Sequence, residues 1–232
     1  MPEDRRLKDR LGDHGFVPGE HGYGLLLLLI LASLTFQLAS EETGVSHIIT
    51  IALQAVTVLA ALWTSQARTR VLRVVTAIVL VVTVGSAVAF AASGEVDEAG
   101  ARIVSLLLIF FAPLAIAHGV VRHFREQGQV TVQTMFGVLC IYLLLGSLFA
   151  FTYGVLDNLG STPFFTGLAE GTTSDYLYFS FATLTTVGYG DLTAATDLGR
   201  SLAITEALIG QIYLVTLVAL IVSNLGQTRV AR

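Results

Sequence analysis

Six runs of apolar residues, each of membrane-crossing length, constrain this chain more than anything else in it: about 24 to 40, 46 to 63, 71 to 92, 100 to 121, 131 to 155 and 200 to 224. A hydrocarbon core about 30 Å thick takes about 20 helical residues to cross. Backbone polar groups have no water partners there, so helices satisfy them internally. The runs therefore predict an all-α membrane protein with six crossings. Composition agrees: 54% of the residues are hydrophobic and 13% charged, the latter about half the soluble norm. Between the last two runs lies a helix-like piece at roughly 174 to 185. It is too short to span and reads as re-entrant, a form that survives only inside protein.

Basic residues are sorted along this layout. Arg5, Arg6, Lys8 and Arg10 precede the first run; Arg68, Arg70 and Arg73 separate the second and third; Arg122 and Arg125 separate the fourth and fifth; Arg229 and Arg232 end the chain. Eleven of the 13 basic residues thus fall on one side. Cytoplasmic loops carry such an excess, which places both termini in the cytoplasm of a multi-pass protein of the cell membrane. The opposite loops hold Glu41, Glu42, Glu95, Asp97, Glu98, Asp157, Glu170, Asp175, Asp191 and Asp197, an outer face that concentrates cations. Near the inner boundary, Arg68, Arg70 and Arg73 read as anchors to membrane lipids and Trp63 as an interfacial residue. No nucleic-acid patch, internal repeat or catalytic motif accompanies these runs, and an enzyme is not expected.

The short piece is followed by Thr185-Thr186-Val187-Gly188-Tyr189-Gly190-Asp191. Glycine at alternate positions, Gly188 and Gly190, permits a ribbon whose successive carbonyls turn to one side, and inward carbonyls replace the hydration shell of an ion. Val187 and Tyr189 then face away, into the protein. The Thr186 to Gly190 core resembles the potassium channel family signature without a substitution, and Asp175 to Thr185 looks like that family's pore helix. The resemblance implies K+ sites at the carbonyls of Thr186, Val187, Gly188 and Tyr189 and at the Thr186 hydroxyl, with Gly190 closing the outer mouth. It implies no cofactor beyond K+ as permeant ion. A ring of four ribbons surrounds the ion and this chain carries one, so a homotetramer is expected.

By the same resemblance Asp191 accepts a hydrogen bond from an aromatic donor on the pore helix. The matching position is Tyr178, where many relatives have tryptophan, and Ala182 stands where some bacterial channels place a second bracing carboxylate. Glu206 is an ionisable residue within the sixth run, which calls for a named partner. It is expected behind the pore helix near Thr185 or Thr183, either bracing the filter or serving as a structural hydrogen-bonding group. Gly210 has two readings, a hinge for an inner gate or close helix packing. Leu214, Val218 and Val222 share a face, as a dewetting constriction or as helix contacts.

Six runs with a pore segment between the last two resemble the voltage-gated plan, yet the fourth run holds only Arg102 at its outer end, followed by Ile103 through Pro113 without a basic residue. The sensor series is absent. Arg102 is expected at the outer interface, and helices one to three are expected to lack buried acidic partners between about 24 and 92. His118 and His123 near the inner end of this run are candidate pH sensors or solvated interface residues. The expected organisation is a leader at 1–23, a four-helix voltage-sensor-like domain without gating charges at 24–125, a pore domain at 126–226 and a tail at 227–232. Leader and tail are too short to fold alone, so no regulatory cytosolic domain is expected in this chain. The reading is a potassium-selective homotetramer that conducts passively. A non-selective cation channel would share the plan but alters the Tyr-Gly pair, and a non-conducting scaffold or regulatory subunit would not need the intact ribbon.

The charge sorting makes a topological prediction. In a Cys140→Ala background, an impermeant thiol reagent applied to intact cells should label a cysteine at Glu95 or Asp157 and spare one at Arg70; the reverse pattern would overturn the orientation.

Overall fold

The computed structural model describes residues 22–65, 69–93, 98–127 and 131–230. Outside them lie most of the leader, with Arg5, Arg6, Lys8 and Arg10, together with Arg68, Glu95, Asp97 and Arg232; the side chains of Arg70, Glu98, His123, Arg125, Val218, Val222 and Arg229 are also outside the description. The described residues form seven helices: α1 (Gly22–Ala39), α2 (Gly44–Thr64), α3 (Thr69–Ser93), α4 (Glu98–Gln127), α5 (Val132–Leu159), α6 (Thr173–Leu184) and α7 (Asp197–Val230). Each of the six apolar runs coincides with one helix, and the short piece is α6. Four helices are long and apolar enough to cross a membrane: α1, α2, the Arg102–Arg122 stretch of α4, and α5. In α3 the apolar stretch is Arg73–Gly85.

Three helices start on one device. At α2, Thr43 Oγ1 accepts from the Ser46 amide at 3.2 Å while Ser46 Oγ accepts from the Thr43 amide at 2.9 Å. Thr131 with Thr134 and Thr172 with Asp175 repeat this capping box at α5 and α6. Each box satisfies two amides that the first helical turn leaves without partners. In α4, Pro113 sits inside the helix, where its missing N–H removes one rung of the ladder.

The centre of the molecule is α5. Helices α1, α4, α6 and α7 all pack on it, α2 packs on α1, α3 and α4, and α1 also reaches α6. The Tyr23 hydroxyl of α1 lies against Gly119 of α4, where a Cβ would collide with it, so α1 and α4 meet each other as well as α5. Small residues let the backbones approach, as at membrane helix contacts generally. A Cβ on Gly137 would meet Val120 Cγ2 of α4 at 2.6 Å, and one on Gly146 would meet the Phe181 ring of α6 at 2.8 Å.

Behind α6 the core becomes aromatic. Tyr153, Phe164, Phe165, Tyr176 and Phe179 interlock, with centroid distances of 4.9 Å for Tyr153–Phe164 and 5.3 Å for Phe165–Tyr176. Such pairs add about 0.5–1.5 kcal/mol each beyond their buried area. The segment after α5 is tied to the segment before α7, Thr166 N donating to Thr193 O at 2.9 Å and Ala195 N to Phe164 O at 2.8 Å. These bonds enclose α6 and the ribbon that follows it.

Candidate functional site

The ribbon begins where α6 ends. Thr186 N donates to Thr183 O at 2.9 Å, and Val187 N and Gly188 N both donate to Ala182 O, at 2.9 and 3.0 Å. Positive φ then falls on alternate residues: Thr186 at 60°, Gly188 at 53° and Gly190 at 82°. The two glycines adopt this region without penalty. Thr186 does not, because a β-branched residue there is strained by about 1–3 kcal/mol, and the surroundings must hold it. Within one chain Val187 and Tyr189 remain 53% and 71% exposed.

Four contacts surround α6 and its ribbon. Beyond the ribbon, Tyr178 Oη donates to Asp191 Oδ2 at 2.7 Å, and the Tyr189 ring stacks on Tyr178 with centroids 6.0 Å apart. This bond, helped by the Leu192 amide 3.0 Å from Asp191 Oδ1, holds the exposed Asp191 carboxyl below the usual carboxylate range. At the inner end, α7 meets the last turn of α6 through Gly210, whose Cβ, were there one, would overlap Leu184 O and lie 2.9 Å from Leu184 Cδ1. The same Leu184 carbonyl accepts from Tyr142 Oη at 3.2 Å. The Tyr142 ring stacks on Tyr213, whose hydroxyl donates to Val138 O at 2.5 Å. Gly210 is therefore a packing glycine in this structure.

Behind α6 lies Glu206, fully buried. The expectation that it sits near Thr185 or Thr183 is corrected: its carboxylate accepts from Tyr153 Oη at 2.6 Å and from Ser180 Oγ, which also lies 2.7 Å from Gly146 O. The register of α6 explains the difference, since Ser180 and Leu184 lie one turn apart on its buried face. Thr183 is turned off that face, and Thr185 Oγ1 donates to Phe181 O at 2.6 Å. Leu214 is half-buried on α7 and His118 is exposed.

The fourth contact is one that the sequence reading missed. Arg102 is 5% exposed, not at an open interface, and Glu42, in the link between α1 and α2, pairs with it at 3.6 Å. Arg102 also donates to Asn158 Oδ1 at 2.9 Å and to Gly171 O at 3.1 Å, and its guanidinium lies 5.2 Å from the centroid of the Tyr176 ring. Glu42 Oε1 accepts from both the amide and the hydroxyl of Thr173, at 2.5 and 2.6 Å. Nearby, Asp157 accepts from Phe164 N at 2.8 Å and from Tyr176 Oη. A solitary arginine at the end of an apolar run is the one sequence signal that asks for such partners.

Two predictions follow from these distances. Gly210→Ala should destabilise the purified protein by about 1–3 kcal/mol, the usual cost of overpacking, read as a lowered Tm in detergent. Asp191 has a folded-state pKa below its unfolded value, so the Tyr178 bond contributes above the ordinary carboxylate range and is lost as pH falls through the lowered value. Tyr178→Phe should raise the Asp191 pKa, measured by carbon NMR of its carboxyl, and an unmoved titration would show that the bond does not persist in solution.

Residues 137–227 match the family model described as "Ion channel". No curated protein shows significant similarity to the chain. The match begins within α5, takes in α6, the ribbon and nearly all of α7, and leaves α1–α4 outside. Together with the four long apolar helices it supports a multi-pass membrane protein with ion channel activity.

Proposed function

We propose that the protein is a potassium-selective channel of the cell membrane that works as a homotetramer. In this reading α1–α5 and α7 cross the bilayer with both termini cytoplasmic, α6 is the re-entrant pore helix, and residues 186–190 are the filter. The observation that carries it is the Thr186 to Gly190 ribbon, with positive φ at alternate residues and its first amides anchored on Ala182 and Thr183. Alternating backbone handedness lets consecutive carbonyls face one way. Four copies of that face around an axis replace the water of a dehydrated K+. Conduction is passive, K+ being the transported ion, and neither a cofactor nor catalysis enters it.

The surfaces left open within one chain agree with four-fold assembly. Val187 and Tyr189 are exposed beside the ribbon, and Ile204, Leu208, Ile212 and Val215 leave an apolar face on α7 at 58–66% exposure. In the tetramer, neighbouring copies and the axis take up these faces, so that Val187 and Tyr189 point into protein. Leu214, Val218 and Val222 are then candidates for the inner constriction. Asp191 and the other outer carboxylates raise the local K+ concentration at the mouth.

Conventional voltage gating has no basis in α4. Moving one elementary charge across 100 mV is worth about 2.3 kcal/mol, and voltage sensors move about 3 to 4 charges per subunit. Arg102, the one basic residue near the start of this apolar stretch, is held by Glu42, Asn158 and Gly171.

With unequal K+ and Na+ across a bilayer, the reversal potential of reconstituted protein should follow K+, and Tyr189→Asp should collapse that preference; a wild-type reversal near zero would overturn the proposal. In the same recordings, open probability should change only shallowly with voltage. A steep curve flattened by Arg102→Gln alone would return a sensing role to α4.

A further inference from the structure

The N-terminus of α6 is held by a part of the chain far from the pore. This helix already has its own capping box, Thr172 with Asp175. Even so, the amide of its first residue, Thr173, goes to Glu42, which is 131 positions away in the link between α1 and α2. One residue on, Ser174 Oγ donates to Leu38 O near the end of α1 at 3.2 Å. Glu42 is in turn paired with Arg102 near the start of the apolar stretch of α4. Arg102 reaches across to Asn158 at the end of α5 and to Gly171 just before α6. The outer ends of α1, α2 and α4 therefore converge on the first turn of α6.

We propose that Glu42 and Arg102 are positioning residues of the pore helix, and that through them the first four helices set how long the ribbon stays in its conducting form. The proposal rests on the reading of residues 186–190 as the filter. Mechanically, α6 is a rod of about 18 Å, at 1.5 Å per residue, pinned at one end by Glu42. At its other end, the Ala182 carbonyl carries the amides of Val187 and Gly188. A helix transmits a tilt of one end to the other because its backbone bonds are continuous. The ribbon at the far end includes Thr186 in a strained conformation, so a small displacement of Ala182 loosens the bonds that offset the strain.

The electrostatics favour this arrangement. A carboxylate at a helix N-terminus is stabilised by the exposed amides and by the helix dipole. Glu42 Oε1 takes the helix amide while Oε2 faces the Arg102 guanidinium, so each oxygen has a distinct partner. Removing either residue leaves the other charge in a largely enclosed place. The two should thus act as a unit and their effects should not add. No charge needs to cross the membrane field. Displacement of α1, α2 or α4 by bilayer tension, lipid or a partner would reach the filter by altering the cap.

The test uses full-length protein reconstituted in liposomes, with K+ current followed after opening for wild type, Glu42→Ala, Glu42→Gln, Arg102→Gln and the Glu42→Ala/Arg102→Gln pair. Loss of a helix cap shifts an equilibrium by roughly tenfold. The conducting lifetime should therefore shorten by about that factor in Glu42→Ala and Arg102→Gln, by less in Glu42→Gln, which keeps an acceptor, and no further in the pair. Raising K+ should restore the lifetime, since bound ions favour the conducting ribbon by mass action; a general loss of folding stability would not respond in this way. Glu42→Gln keeps the test open if Glu42→Ala does not assemble. A K+-selective wild type whose variants decay at the wild-type rate would overturn the positioning role alone. A wild type without K+-selective current would overturn the filter reading and this role with it.

Discussion

The ribbon that follows α6 leaves the helical ladder with positive φ at alternate residues and has given up the hydrogen bonds that make helices safe in lipid, so the surrounding protein has to hold it. Among the described residues, contacts from several parts of the chain converge on α6, the twelve-residue helix that presents the ribbon. Its outer side is tied by Tyr178 to Asp191, its buried side by Ser180 to Glu206, its last carbonyls by Tyr142 and the close approach of Gly210, and its first amide by Glu42. These contacts come from four different stretches of chain: the segment after the ribbon, α7, α5 and the link between α1 and α2. Their combined effect is to over-determine a conformation in which Thr186 sits at a φ it would not adopt alone.

The braces differ in chemistry according to their surroundings. Asp191 is exposed, and a single phenol with one backbone amide holds its carboxyl below the usual carboxylate range. Glu206 is fully enclosed, and the hydroxyls of Tyr153 and Ser180 meet its carboxyl group, as burial of such a group requires. The acid that backs α6 comes from α7 and meets Ser180 rather than the segment next to the ribbon. Tyr153 serves twice, as donor to Glu206 and as a member of the aromatic cluster that fills the space between α5 and α6.

The first four helices acquire a different significance from the one their order along the chain suggests. The order of the helices suggests that the first four form a separate bundle, whereas α1 and α4 each also lie on α5. Arg102 is held among Glu42, Asn158 and Gly171. This set of helices is built into the support of α6 through Glu42 and Arg102.

Much of the fold was legible because lipid imposes a simple rule: apolar length translates directly into helix length, and all six runs became helices with ends displaced by only a few residues. The ribbon was legible because its backbone conformation demands glycine at particular spacings, and Gly188 and Gly190 stand at two of the three positions with positive φ. Sequence spacing also paired Tyr178 with Asp191, thirteen residues apart on either side of the ribbon. Partners drawn from distant helices were not legible. Glu42 meets Thr173 across 131 residues and Glu206 meets Tyr153 across 53, distances at which no local periodicity operates and only the rotation and depth of each packed helix decide which side chains meet. Between two readings of Gly210, hinge or packing, the sequence was neutral; the carbonyl of Leu184 lying against it is a fact of tertiary structure alone.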